Sequence, residues 1–141
     1  MPDIYKTQFL LTDRDIDANG HLNNVVYVQW MQDIAILHSS AQGFTNEKYH
    51  ELGSTWFVRS HFVEYLSPAF AGDTIEAYTW VTNFKKIRAL RKYKFIRASD
   101  KVTLAWAETD WIYVSTKTGR PQAIPEDFKN AFRLIPVEEE P

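Results

Sequence analysis

Between Asp15 and Val28 the chain reads Asp-Ile-Asp-Ala-Asn-Gly-His-Leu-Asn-Asn-Val-Val-Tyr-Val. Two carboxylates one residue apart, Asp15 and Asp17, lead into a tight-turn signal at Asn19-Gly20. His21 follows, then the pair Asn23 and Asn24, then a long apolar run. A carboxylate is thereby placed a few residues before the start of a helix. The first N–H groups of a helix have no partner within it and lie at the positive pole of its dipole. A base or nucleophile beside donors that can hold an oxyanion is the minimum needed to cleave an acyl bond. More ordinary roles stay open. Asp17 can serve as a turn aspartate binding local backbone amides, and Asn24 can simply cap the helix. His21 suits proton transfer or structural hydrogen bonding. A positioning role for His21 is as open as a structural hydrogen-bonding one.

Beyond this stretch the strongest feature is basic. Lys85, Lys86, Arg88, Arg91 and Lys92 span a turn between two strand-like runs. Arg and Lys suit phosphate, and they also blunt the edge of a sheet. His38, His50 and His61 are scattered, and the chain has no cysteine, so nothing has the spacing of a zinc site.

The motif resembles that of the hotdog-fold acyl-CoA thioesterases, in particular the 4-hydroxybenzoyl-CoA thioesterase-like group. That pattern, Asp-x-Asp-x-x-Gly-His-x-Asn-Asn-x-x-Tyr, is met by Asp15, Asp17, Gly20, His21, Asn23, Asn24 and Tyr27. The resemblance continues through Glu64-Tyr65-Leu66-Ser67-Pro68 and Ala71-Gly72-Asp73, and ends near Thr118-Gly119-Arg120-Pro121 and Ile124-Pro125. It implies an acyl-CoA thioesterase in which Asp17 is base or nucleophile and the Asn24 N–H polarises the thioester carbonyl, with His21 assisting. It also places Gly20 and Tyr27 on the substrate, and Lys86, Arg88 and Arg91 on the phosphates of coenzyme A. Val26, Tyr27 and Trp30 are candidates for the acyl pocket. No metal or cofactor is implied beyond the coenzyme A of the substrate. Plant-type acyl-carrier-protein thioesterases carry a related motif, which makes that substrate the alternative; a non-catalytic acyl-binding hotdog module is a second. The chain departs from many relatives in carrying Gln32 and Ala35 where they have Glu and Arg, which argues against a helix-borne Glu mechanism.

The elements that must position these residues can be read from pattern. Tyr5 to Leu11 is expected as a strand with Phe9 and Leu11 on one face. Asn24 to about Ala41 is the main helix, capped by Asn23 or Asn24 and stopped by Gly43. It is apolar nearly all round and is expected to be deeply buried, with Gln29, Gln32 and Asp33 as its polar edge. A short helix runs from Asn46 to Leu52. Four strands follow, over Thr55–Leu66, Asp73–Phe84, Arg88–Ala98 and Val102–Ser115, with short links that favour antiparallel pairing. A last helix covers Glu126 to Phe132. One helix too apolar for a surface needs a sheet to wrap it. The expected fold is therefore α+β: a curved antiparallel sheet of about five strands around one long central helix, as a single hotdog domain over residues 1–141.

The length of 141 residues suits one domain. A net charge of −2 argues against a nucleic-acid partner. No run of apolar residues is long enough to span a membrane, and the N-terminus lacks an apolar core of signal-peptide length, so the chain reads as cytoplasmic. Aromatic residues make up 15% of it. One sheet covers only one side of a helix, and this surplus calls for a partner: a homodimer or a dimer of dimers, that is, a homotetramer. The tail Glu138-Glu139-Glu140-Pro141 reads as a solvated acidic end.

Overall fold

In the computed structural model, which describes residues 3–141, the helix begins where its local signals place it. Asn23 is the N-cap, extended at φ −67° and ψ 130°, and its side chain accepts the Val25 N–H. The helix α1 then runs Asn24–Ala41. Of the domain expected over 1–141, Met1 and Pro2 lie outside the described residues. A first strand β1 (Tyr5–Leu10) precedes α1, with a 3₁₀ turn at Asp13–Asp15 between them. A short helix α2 (Asn46–Leu52) ends at Gly53, whose φ of +70° is the left-handed stop that glycine adopts without a Cβ penalty. The strands β2 (Ser54–Tyr65), β3 (Thr74–Phe84), β4 (Arg88–Arg97) and β5 (Thr103–Ser115) follow, then a last helix α3 (Glu126–Ala131).

The five strands form one antiparallel sheet in the order β1-β3-β4-β5-β2. This is the α+β arrangement expected. Bulges at Val58/Ser60 of β2 and Val81/Asn83 of β3 bend the sheet locally. Strand alternation sorts the side chains: on β4, Ala89, Arg91, Tyr93 and Phe95 are buried, while the residues between them are half-buried on the other face. The inner face carries Ile75, Ala77, Phe95, Ala105 and Ala107, and with Met31 and Ile34 of α1 these form the main core. Tyr27 meets Phe95 at one end of α1, and Trp30 stacks on Phe9 with ring centroids 4.8 Å apart.

Two expectations need correction. The helix is not buried all round: Val25, Gln29, Gln32 and Ile36 form an exposed stripe, and Val25 is 72% exposed. An apolar count does not say which side the sheet covers. The polar edge is real, since Gln29 Nε2 donates to Asp33 Oδ1 at 2.9 Å. Nor is the acidic tail merely solvated. It crosses the outer face of the sheet, where Glu140 accepts Trp80 Nε1–H at 2.8 Å and pairs with Lys92 at 3.0 Å. Among the described residues no helix is long and apolar enough to cross a membrane.

Candidate active site

The loop between the first 3₁₀ turn and α1 is tied down residue by residue. Asp15 Oδ2 accepts both the N–H and the hydroxyl of Thr12, at 3.0 and 3.1 Å. The Asp15 carbonyl accepts the Asn23 N–H at 2.7 Å, and Ile16 bridges to Leu22. Within that bracket Asp17 N–H donates to the His21 carbonyl at 2.8 Å, and Gly20 N–H donates to the Asp17 carbonyl at 3.1 Å. Gly20 sits at φ +79°, which only glycine takes readily, so the turn depends on it. Its role is conformational, because it does not line the cleft that the loop opens onto.

Asp17 Oδ1 accepts the N–H groups of Asn19 and His21, at 2.9 and 3.2 Å. Its other oxygen takes no hydrogen bond among the described residues. His21 therefore holds Asp17 through its backbone and not through its ring. The ring is exposed and lies edge-on to Phe70, with centroids 5.4 Å apart. The first helical N–H, that of Asn24, also meets no acceptor among the described residues. Val25 N–H is taken by the Asn23 side chain and Val26 N–H by the Asn23 carbonyl. Asp17, His21, Asn24 and Tyr27 thus line one surface cleft of about 370 Å³. The opposite wall comes from the segment after β2, Tyr65 to Ala69. It is latched to the loop by Leu22 N–H donating to the Ala69 carbonyl at 2.8 Å, and by the Tyr65 hydroxyl donating to the Asn24 carbonyl at 3.4 Å. The sequence reading carried this wall only as the part of the resemblance at Glu64-Tyr65-Leu66-Ser67-Pro68, with no sign that it meets the Asp17 loop. Burial, reinforced by Tyr65, pushes the Tyr27 phenol well above its ordinary range, so it stays neutral in the cleft wall.

The expected phosphate clamp does not assemble. Alternation along β4 sends Arg88 and Arg91 to opposite faces. Arg88 is engaged by Asp110 across the sheet, and Arg91 is 5% exposed beneath α1. Lys86 stays exposed, its carbonyl accepting the Ile124 N–H. The hairpin also lies at the far end of α1. Tyr27 packs on Phe95 but His38 on Arg91, and Asn24 to His38 is about 21 Å of helix. Of the residues expected to line an acyl pocket, Trp30 is instead packed into the core with Phe9 and Phe95, and Val26 packs against that core.

A family model described as the thioesterase-like superfamily matches residues 11–132. The chain is 22% identical over 133 residues to the chloroplastic palmitoyl-acyl carrier protein thioesterase of Cuphea hookeriana, covering 90% of this chain and 32% of that protein. It thus spans about a third of the length of that curated relative. Among solved structures it is similar to a 1,4-dihydroxy-2-naphthoyl-CoA thioesterase from Synechocystis, with a TM-score of 0.83 and 16% identity over 91% of this chain and 94% of that one. It is similar also to a Staphylococcus aureus protein solved in complex with CoA, with a TM-score of 0.85 and 20% identity over 91% of this chain and 80% of that one.

Proposed function

The chain belongs to the thioesterase-like superfamily and has the hotdog fold, and from that premise we propose that it hydrolyses acyl-CoA to the free acid and coenzyme A. One observation carries this reading. Asp17, with one carboxylate oxygen unengaged, and Asn24, whose N–H has no acceptor among the described residues, line one cleft. In the reaction water attacks the thioester carbonyl carbon and gives its proton to Asp17. Alternatively, Asp17 attacks and water opens the resulting anhydride. Charge gathers on the carbonyl oxygen, where the Asn24 N–H and the dipole of α1 meet it. The C–S bond then breaks, its electron pair leaves on sulfur, and the proton completes the two products. The chemistry calls on no metal or redox group.

A panel of acyl-CoAs of stepped length, followed by thiol release, tests this. Turnover of at least one is expected. The curated relative acts on an acyl-carrier protein, and that relative supplies the second reading. Turnover confined to the same acyl groups on a carrier protein would establish it in place of the first. Release from neither set would leave only an acyl-binding module.

The same reading includes assembly. The strand β2 is an edge of the sheet, with Phe57 and Phe62 each 52% exposed. A second copy covers this edge, as a homodimer or a dimer of dimers. Light scattering at micromolar concentration is expected to give at least twice the chain mass of 16.5 kDa. A fully active species at the single-chain mass would rule assembly out.

A further inference from the structure

Further along α1, between helix and sheet, lies a second cavity of about 250 Å³. Ala35 and Ile36 of α1, Tyr49 of α2, Trp56 of β2 and Trp111 of β5 give it a largely aromatic wall, and Arg91 of β4 supplies a cation. Arg91 Nη1 donates to His38 Nδ1 at 2.9 Å and to Thr79 Oγ1 at 3.1 Å, and its guanidinium carbon sits 5.9 Å from the centre of the Phe132 ring. A ring nitrogen that accepts from Arg is unprotonated, so all three partners are neutral. Among the described residues no carboxylate lies within ion-pair reach of Arg91, and its Nε and Nη2 make no hydrogen bond. The indole N–H groups of Trp56 and Trp111 are also buried and make no full hydrogen bond, only weak contact with the hydroxyls of Tyr49 and Tyr93. A buried charge faced only by neutral groups is costly, and burial already pulls the guanidinium below its ordinary pKa. The complementary ligand is an apolar body ending in a carboxylate.

The position of the cavity says how such a ligand arrives. The exposed stripe Val25, Gln29, Gln32 and Ile36 leads from the Asn24 end of α1 to Gln32 and Ile36, which border the cavity. From Asn24 to Gln32 is about 12 Å at the helical rise, the reach of an extended chain of about ten carbons.

We propose that this cavity receives the far end of the acyl group, and that Arg91 selects substrates whose far end carries a carboxylate. The proposal rests on the thioesterase reading. The test pairs decanoyl-CoA with the mono-CoA thioester of the ten-carbon dicarboxylic acid. For the wild type, kcat/KM should favour the carboxylated substrate by about ten- to a hundredfold, the range for a hydrogen bond to a charged group. Arg91→Met should bring that ratio to one or below, and Arg91→Lys should keep part of it. Arg91 has no carboxylate partner among the described residues, so Arg91→Met strands no opposite charge. Should Arg91→Met fail to fold nonetheless, Trp111→Phe removes one donor, keeps an aromatic wall, and should lower the ratio. Binding of the free dicarboxylic acid, followed by tryptophan fluorescence, needs no turnover. Arg91-dependent binding without hydrolysis of any thioester would sink the thioesterase reading while keeping the carboxylate site. Equal kcat/KM for the two thioesters in the wild type overturns the proposal, and so does a preference that survives Arg91→Met. Arg91-dependent binding of the free acid without substrate preference overturns it too, and makes the cavity a site for a free carboxylic acid.

Discussion

Asp17→Asn is expected to lower kcat for acyl-CoA hydrolysis by about 10²–10⁴-fold, the range for losing a general base. The substitution is close to isosteric. Asn keeps an oxygen where Asp17 Oδ1 accepts the Asn19 and His21 N–H groups, so the turn has no reason to open. What goes is the negative charge and the second, unengaged oxygen. The loss should therefore fall on kcat more than on KM, with little change in the melting temperature. If Asp17 is the nucleophile, the loss is larger, and single-turnover experiments on the wild type can trap an anhydride. Asp15→Asn is the internal control. That carboxylate faces Thr12 and not the cleft, so its replacement should act on loop stability with a smaller loss of activity. Near wild-type hydrolysis by a normally folded Asp17→Asn protein would falsify the mechanism.

Asn24→Pro is expected to cost about 10²–10³-fold in kcat, the usual effect of deleting one oxyanion donor. The variant removes the N–H together with the Asn24 carboxamide, so Asn24→Ala, which keeps the N–H and should keep kcat, is its control. Asn24 is the first helical residue, where proline is well tolerated because that N–H bonds to nothing within the helix. The preceding residue, Asn23, already has φ −67° and ψ 130°, the extended region that proline demands of its neighbour. Asn23→Ala separates the two functions of the helix start. It removes the side chain that caps Val25 N–H and should cost about 1 kcal/mol of stability, while leaving the Asn24 N–H in place. Thermal melts and steady-state kinetics on the two variants should dissociate: activity lost in one, stability in the other. Equal kcat for Asn24→Pro and wild type would move the oxyanion site elsewhere.

Local signals made much of this fold legible. The caps at Asn23 and Gly53 and the turn at Asn19-Gly20 are decided by residues within a few positions of each other, and the elements start and stop there within a residue or two. The meeting of Asp17 with the start of α1 is local in the same sense. What needs contacts distant in sequence was not legible. The far wall of the cleft comes from Tyr65 to Ala69, some forty residues on. Glu140 finds Trp80 across sixty positions. The exposed stripe on α1 depends on where the sheet lies, which an evenly apolar helix does not announce. The phosphate clamp was misread because closeness in sequence was taken for closeness in space: Arg88 and Arg91 are three residues apart on a strand, and odd separations part company there.

That division of β4 also constrains how this protein can change. Its outward-facing Lys92 and Lys94 and its inward-facing Tyr93 and Phe95 share one backbone. Gaining or losing a single residue at the start of the strand would turn the lysines under α1 and put two aromatic rings in their place outside. Gaining or losing two would restore every side chain to its face. Length variation at this point is therefore absorbed only by an even step or by a new bulge of the kind β3 already carries at Val81/Asn83 opposite this strand.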